Sequence, residues 1–167
     1  PRRPRRRGVW YVDTLDGSKE FSEGSDEFAF LATLVEDCLP VLSVCALPAE
    51  WKVYVALKGR GAFSASLDDP YGAQETLSVS NCSSLDDVVF AVTKAKADFY
   101  DYLAFSFGID GNDDIRFKRY GAALKGIKVA TGEVDAFPCF NPNLCLWDIA
   151  YDLLVEEAGG KITDVFG

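Results

Sequence analysis

The sequence predicts an α+β chain built as layers, an antiparallel sheet in its first half and a mixed sheet with helices in its second. Three observations carry this. From Phe28 to Ala65, β-rich stretches follow one another across short turns, which is the pattern of a meander. After the breaker cluster Asp68-Asp69-Pro70-Tyr71-Gly72, apolar strands alternate with segments of helical period. The chain has 167 residues, 49% of them hydrophobic, enough for one substantial core.

Taken in order, Val9-Trp10-Tyr11-Val12 reads as a short buried strand ending at Asp13. Thr14 to Ser18 is a turn sequence, and Lys19-Glu20-Phe21 continues it as a helical turn. Strands are expected at Phe28–Val35, Val41–Leu47 and Trp51–Leu57, and Gly59-Arg60-Gly61 turns the last into Ala62–Ala65. In the second half, Val88–Val92 is a continuous apolar strand, Asp98–Phe107 a helix, and Ile115–Tyr120 an alternating strand. Ala122–Ala130 reads as a helix and Val134–Phe137 as a strand. A last helix runs from Trp147 to Ala158, with Trp147, Ala150, Leu154 and Ala158 at helical spacing. Gly159-Gly160 ends it, and Lys161-Ile162-Thr163 opens a further strand. The expected organisation is therefore a basic loop or arm over 1–8, the remainder of an antiparallel-sheet half over 9–67, and an α/β half over 68–167.

Charge and composition exclude whole classes of chemistry. The chain has no histidine, so Ser-His-Asp and Cys-His triads, histidine zinc sites and histidine general bases are ruled out. Five of the 17 basic residues lie in the opening Pro1–Arg7, which leaves 12 against 26 acidic residues elsewhere. A body that acidic repels nucleic-acid backbones, so general nucleic-acid binding is not expected. No apolar run is long enough to span a membrane as a helix. The five cysteines, Cys38, Cys45, Cys82, Cys139 and Cys145, form no CxxC pair and are odd in number. They read as buried free thiols of an intracellular, reducing compartment. The chain starts at Pro1, contains no methionine, and reads as part of something longer.

The chemistry-bearing segment is Asp13-Thr14-Leu15-Asp16-Gly17-Ser18. A carboxylate at the end of a strand is rigidly held, and a tight turn would bring Asp16 back toward Asp13 with the Leu15 carbonyl between them. Two carboxylates and a carbonyl make a hard, all-oxygen donor set suited to Mg²⁺. Backbone N–H groups at Gly17 and Ser18, and the Ser18 hydroxyl, could hold a phosphate. By itself, this segment reads first as a turn with a cap. Asp148, at the start of the last helix, could likewise be only an N-terminal acid favoured by the helix dipole.

The two segments together resemble a known family. VWYVDTLDGSKEF (Val9–Phe21) is similar to the metal-binding signature of the inositol monophosphatase superfamily, and LWDIAYDLLVEEAGG (Leu146–Gly160) to its second signature. The Gly59-Arg60-Gly61-Ala62 hairpin and Gly121-Ala122-Ala123-Leu124-Lys125 fall where the family has counterparts. The resemblance implies that family's layered sandwich and a Mg²⁺-dependent, lithium-sensitive phosphomonoesterase with two or three metal ions. It implies Asp13, the Leu15 carbonyl, Asp16 and Asp148 as metal ligands, and Asp13, Asp16 and Ser18 as catalytic. Gly17 and Ser18 would bind phosphate, and Gly121, Ala122 and Lys125 the substrate. The partner would be a small phosphorylated metabolite, and homodimers are common in the family. Ser18-Lys19-Glu20-Phe21 and Lys125 look like the branch that removes the 3′-phosphate of adenosine 3′,5′-bisphosphate. The inositol branch is the alternative.

Four departures accompany the resemblance. The family's catalytic glutamate lies on a hairpin upstream of the first strand, and no counterpart precedes the arginine run. Ser18 stands in place of threonine. Tyr151-Asp152 replaces a small residue and a glycine, which predicts obstruction near the site. Phe137 to Asn143 follows the family pattern only loosely. These departures make a catalytically inactive scaffold or assembly subunit the competing expectation.

Overall fold

The computed structural model describes residues 8–93, 116–139, 146–164 and 166–167. Its first half is a six-stranded antiparallel sheet: β1 (Val9–Asp16), β2 (Ala29–Glu36), β3 (Leu39–Leu47), β4 (Lys52–Leu57), β5 (Gly61–Ser66) and β6 (Glu75–Thr76). The strands lie side by side in chain order, as a meander requires. A five-residue helix, α1 (Ser18–Ser22), follows β1 directly. In the second half, β7 (Phe90–Thr93) and β8 (Phe117–Tyr120) pair in parallel. Two helices complete the layer, α2 (Leu124–Ala130) and α3 (Ile149–Glu157), the latter entered through a 3₁₀ turn at Leu146–Asp148.

The core lies between the sheet and these helices. Alternate residues of β2 and β3, namely Ala29, Leu31, Cys45 and Leu47, face Ile127, Ala150, Leu153 and Leu154. Helix α3 crosses β2 to β5 and packs against α2, and the 3₁₀ turn at its start touches β1 and β2. That crossing carries Asp148 to the end of the sheet where β1 finishes. At its other end, Glu157 reaches the β4–β5 turn, accepting hydrogen bonds from the backbone N–H groups of Gly59 (2.7 Å), Arg60 (3.2 Å) and Gly61 (2.8 Å). The helix stops as expected, with Gly159 at φ 94° and the Gly160 N–H donating to the Val155 carbonyl.

Several expectations are corrected. The first strand is an edge strand rather than a buried one: Val9, Trp10 and Val12 are each about half exposed. Val134–Phe137 forms a single bridge, Ala136 to Phe90, instead of a strand, and Lys161–Thr163 is not in a strand. Among the described cysteines all are free, but only Cys45 is buried. The helix expected at 98–107 lies outside the described residues.

Candidate active site

The geometry around Asp13 and Asp16 starts from strand parity. In a regular strand, residues three apart point to opposite faces. Here Asp13 pairs with Leu31 and Asp16 with Ala29, so Thr14 and Leu15 stand opposite Phe30 alone. This β-bulge adds one residue and returns Asp16 to the side of Asp13. A bulge inside a continuous strand therefore does what the sequence suggested a turn would do. The Leu15 N–H donates to Asp13 Oδ1 at 3.0 Å, which fixes the bulge from within.

After the bulge, Gly17 takes a left-handed conformation at φ 84°. A Cβ there would meet both the Ala122 Cβ and the Glu27 carbonyl at 2.8 Å, so only glycine fits. Ser18 then begins α1, whose single turn is too short to develop much of a dipole. Ser18 and Lys19 are exposed.

The Gly121–Ala123 segment closes over this turn. Ala122 itself is left-handed at φ 48°, a conformation that costs a non-glycine residue about 1–3 kcal/mol. The Gly121 N–H donates to Glu27 Oε2 (2.9 Å) and the Ala123 N–H to Asp16 Oδ2 (2.5 Å). Lys125 Nζ donates to the Ala122 carbonyl (2.6 Å) and lies 5.4 Å from the centre of the Phe137 ring. Glu27 sits in the polar run Ser25-Asp26-Glu27 and carried no signal in the sequence beyond that of a loop acid.

Electrostatics bind Asp148 to the same place. The Asp16 carboxyl is pushed up to about 6, first by burial, against the Ala123 N–H, and then by the charges of Asp148 and Asp13; Lys125 pulls the other way. Burial lowers the Lys125 ammonium, opposed by Asp16, Cys139, Glu20 and Glu27. Asp152, one turn after Asp148, is also raised to about 6, by burial and then by Glu156 and Asp148. Tyr151 stands near these carboxylates, its phenol raised by burial and then by the charges of Asp148, Asp152, Cys139 and Asp16. Its ring packs on Gly126 of α2, where any Cβ would overlap it, and meets the edge of Phe137 at 6.2 Å.

The donor chemistry fits a hard divalent cation. Asp13, Asp16 and Asp148 repel one another across a partly buried space, and a cation would relieve that repulsion. Among the described residues no three carboxylates, thiols or imidazoles converge closely enough to hold a metal by side chains alone. A full shell would thus draw on the Leu15 carbonyl, water and groups outside the described residues. Beside Asp148 opens a cavity of about 460 Å³, lined by Asp135, Asp148, Asp152, Phe137, Tyr151 and Lys161 among others.

Comparison with known proteins agrees with this layered fold. The model of the inositol monophosphatase family matches residues 2–167, and the chain belongs to that family. Among its relatives, the histidinol-phosphatase of Mycobacterium tuberculosis is 36% identical over 161 residues, covering 95% of this chain and 59% of that protein. The 3′(2′),5′-bisphosphate nucleotidase CysQ of Aggregatibacter actinomycetemcomitans is 30% identical over 165 residues, covering 95% and 56%. In structure, the Thermotoga maritima IMPase superposes with a TM-score of 0.76 at 30% identity, covering 94% of this chain and 57% of that one. The chain spans about half to three fifths of the length of the curated relatives it matches.

Proposed function

We propose that the protein is a Mg²⁺-dependent phosphomonoesterase acting on a small phosphorylated metabolite. The observation that carries this reading is the half-buried Asp16 carboxyl raised by the nearby charges of Asp148 and Asp13, beside a left-handed glycine. Asp13, Asp16, Asp148 and the Leu15 carbonyl would hold two or three Mg²⁺ ions, which when bound supply positive charge to the phosphate and acidify a water. The chain's own groups orient the substrate. The Gly17–Ser18 backbone at the start of α1 would receive the phosphate, and the exposed Ser18 hydroxyl donates to one of its oxygens. Ala122 packs directly against Gly17, and Gly121 against Glu20 and Glu27.

For the leaving group, Ser18-Lys19-Glu20-Phe21, Lys125 and the relatives named bisphosphate nucleotidase support adenosine 3′,5′-bisphosphate. A second reading rests on a separate observation. The cavity beside Asp148 presents three aspartates against one lysine, which disfavours a second phosphate and favours a cationic amino alcohol. Histidinol phosphate has that chemistry, and relatives carrying the name histidinol-phosphatase support it.

The test is phosphate release by the full-length protein from adenosine 3′,5′-bisphosphate, histidinol phosphate and inositol 1-phosphate, with and without Mg²⁺. Mg²⁺-dependent turnover is expected, and Asp13→Asn should lower it about 100-fold or more, beyond what outer-shell changes typically cost. The preferred substrate identifies the branch. No turnover from a folded protein would favour the scaffold reading instead.

A further inference from the structure

Three consecutive residues, Gly121, Ala122 and Ala123, each have one backbone group tied by a charged side chain. Glu27 takes the Gly121 N–H, Lys125 gives to the Ala122 carbonyl, and Asp16 takes the Ala123 N–H. The middle residue is held left-handed, and its Cβ fills the space that Gly17 leaves open. Charged donors and acceptors make stronger hydrogen bonds than neutral ones, so this is a stiff three-point tether. Only one of its members, Asp16, belongs to the proposed metal set. The other two approach the tripeptide from different elements: Glu27 from the segment before β2, Lys125 from the first turn of α2.

We propose that Glu27 and Lys125 are positioning residues, which clamp the Gly121–Ala123 segment so that its Ala123 N–H fixes the Asp16 carboxylate in orientation. Glu27 fixes the entry of the segment and Lys125 its middle. With both in place, the Ala123 N–H has one direction available, and Asp16 Oδ2 is committed to it. The other Asp16 oxygen is thereby aimed. This inference rests on the metal-site reading above, and the experiment separates the two.

Mn²⁺ affinity would be measured on the full-length protein, together with exchange protection of the Gly121 and Ala123 amide protons. The variants are Glu27→Ala, Glu27→Gln, Lys125→Met and Lys125→Arg, each checked for a cooperative thermal transition. Positioning predicts about tenfold weaker Mn²⁺ binding in Glu27→Ala and Lys125→Met, the scale of lost outer-shell support. It also predicts lost protection at both amides. Glu27→Gln and Lys125→Arg should recover most of each, since one keeps an acceptor and the other the charge.

Lys125→Met is the decisive arm. Removing a positive charge next to a cation site would by itself tighten Mn²⁺ binding. Weaker binding therefore supports positioning, while tighter or unchanged binding overturns it. Unchanged amide protection in Glu27→Ala overturns it as well. If the wild-type protein binds no Mn²⁺, the metal-site reading fails, and the amide exchange alone decides for or against the clamp.

Discussion

Asp16 illustrates how a carboxylate of the proposed metal site weakens the protein that carries it. Its carboxyl is raised from 3.8 to about 6, so the folded state binds a proton that the unfolded state has already released. Stability therefore falls as pH rises from about 4 to 6, and the penalty is in full force at pH 7. Asp16→Asn keeps an acceptor for the Ala123 N–H and removes the charge. Without added metal, it is expected to raise stability at pH 7 by about 1–2 kcal/mol, discounted for partial solvent screening, and to flatten that pH dependence. Thermal melts from pH 4 to 7.5 check this. Added Mg²⁺ should stabilise the wild-type protein and leave the variant unmoved.

Between elements, two contacts define how α3 seats on its neighbours. Glu157 binds the β4–β5 turn through three backbone N–H groups; burial alone would raise its carboxyl, but these bonds and Lys58 hold it below the usual range. A depressed carboxylate contributes stability above its unfolded pKa and loses it as pH falls. Glu157→Ala should cost about 1–2 kcal/mol at pH 7 and less with each step below pH 4.5, measurable by urea denaturation. Tyr151 and Gly126 form the second contact. Tyr151→Ala should cost about 3 kcal/mol through the cavity it leaves, and Gly126→Ala should destabilise by overlap with the ring. The double variant should be more stable than the two single costs added together, because each change relieves part of the other. These contacts also show how far the sequence could be read. Strands β2 to β5 and the helices α2 and α3 were legible from period and turn residues and the order of the motifs from the family resemblance, whereas the extension of β1 over Thr14–Asp16 and the short β6 were not. Apart from Asp148 near Asp16, which the resemblance implied, nothing that depends on two distant segments meeting was legible. Glu27 and Gly121 lie 94 residues apart. Tyr151 had no visible partner until α2 brought a glycine beneath it. Val9–Val12 had the apolar composition of a buried strand, and only its place at the sheet edge reveals it as exposed.

At the scale of the whole molecule, the sheet has two apolar faces, and among the described residues helices cover one. On the other, cross-strand neighbours Trp10 and Leu34, Val12 and Ala32, Leu34 and Leu42, and Leu42 and Leu57 form a continuous apolar surface. Trp10, Val12 and Leu57 on it are between 44% and 52% exposed, more than a soluble single chain ordinarily leaves open in one patch. The 167-residue chain on its own is expected to bind the dye ANS in its native state and to elute in size exclusion above its 18.3 kDa mass. A dye-free monomer would overturn this. The strand order has a separate consequence, for the time course of folding. Strands β1 to β6 each pair with their sequence neighbour, so the sheet can grow hairpin by hairpin with short loop closures. Asp148 joins only when a segment more than a hundred residues further on docks beside β1. Of the carboxylate set, Asp13 and Asp16 are in place with the first hairpin, while Asp148 arrives with the slowest contact. On the proposed metal-site reading, gain of metal affinity during refolding is a clock for the final docking step, distinct from the earlier rise of β-sheet signal.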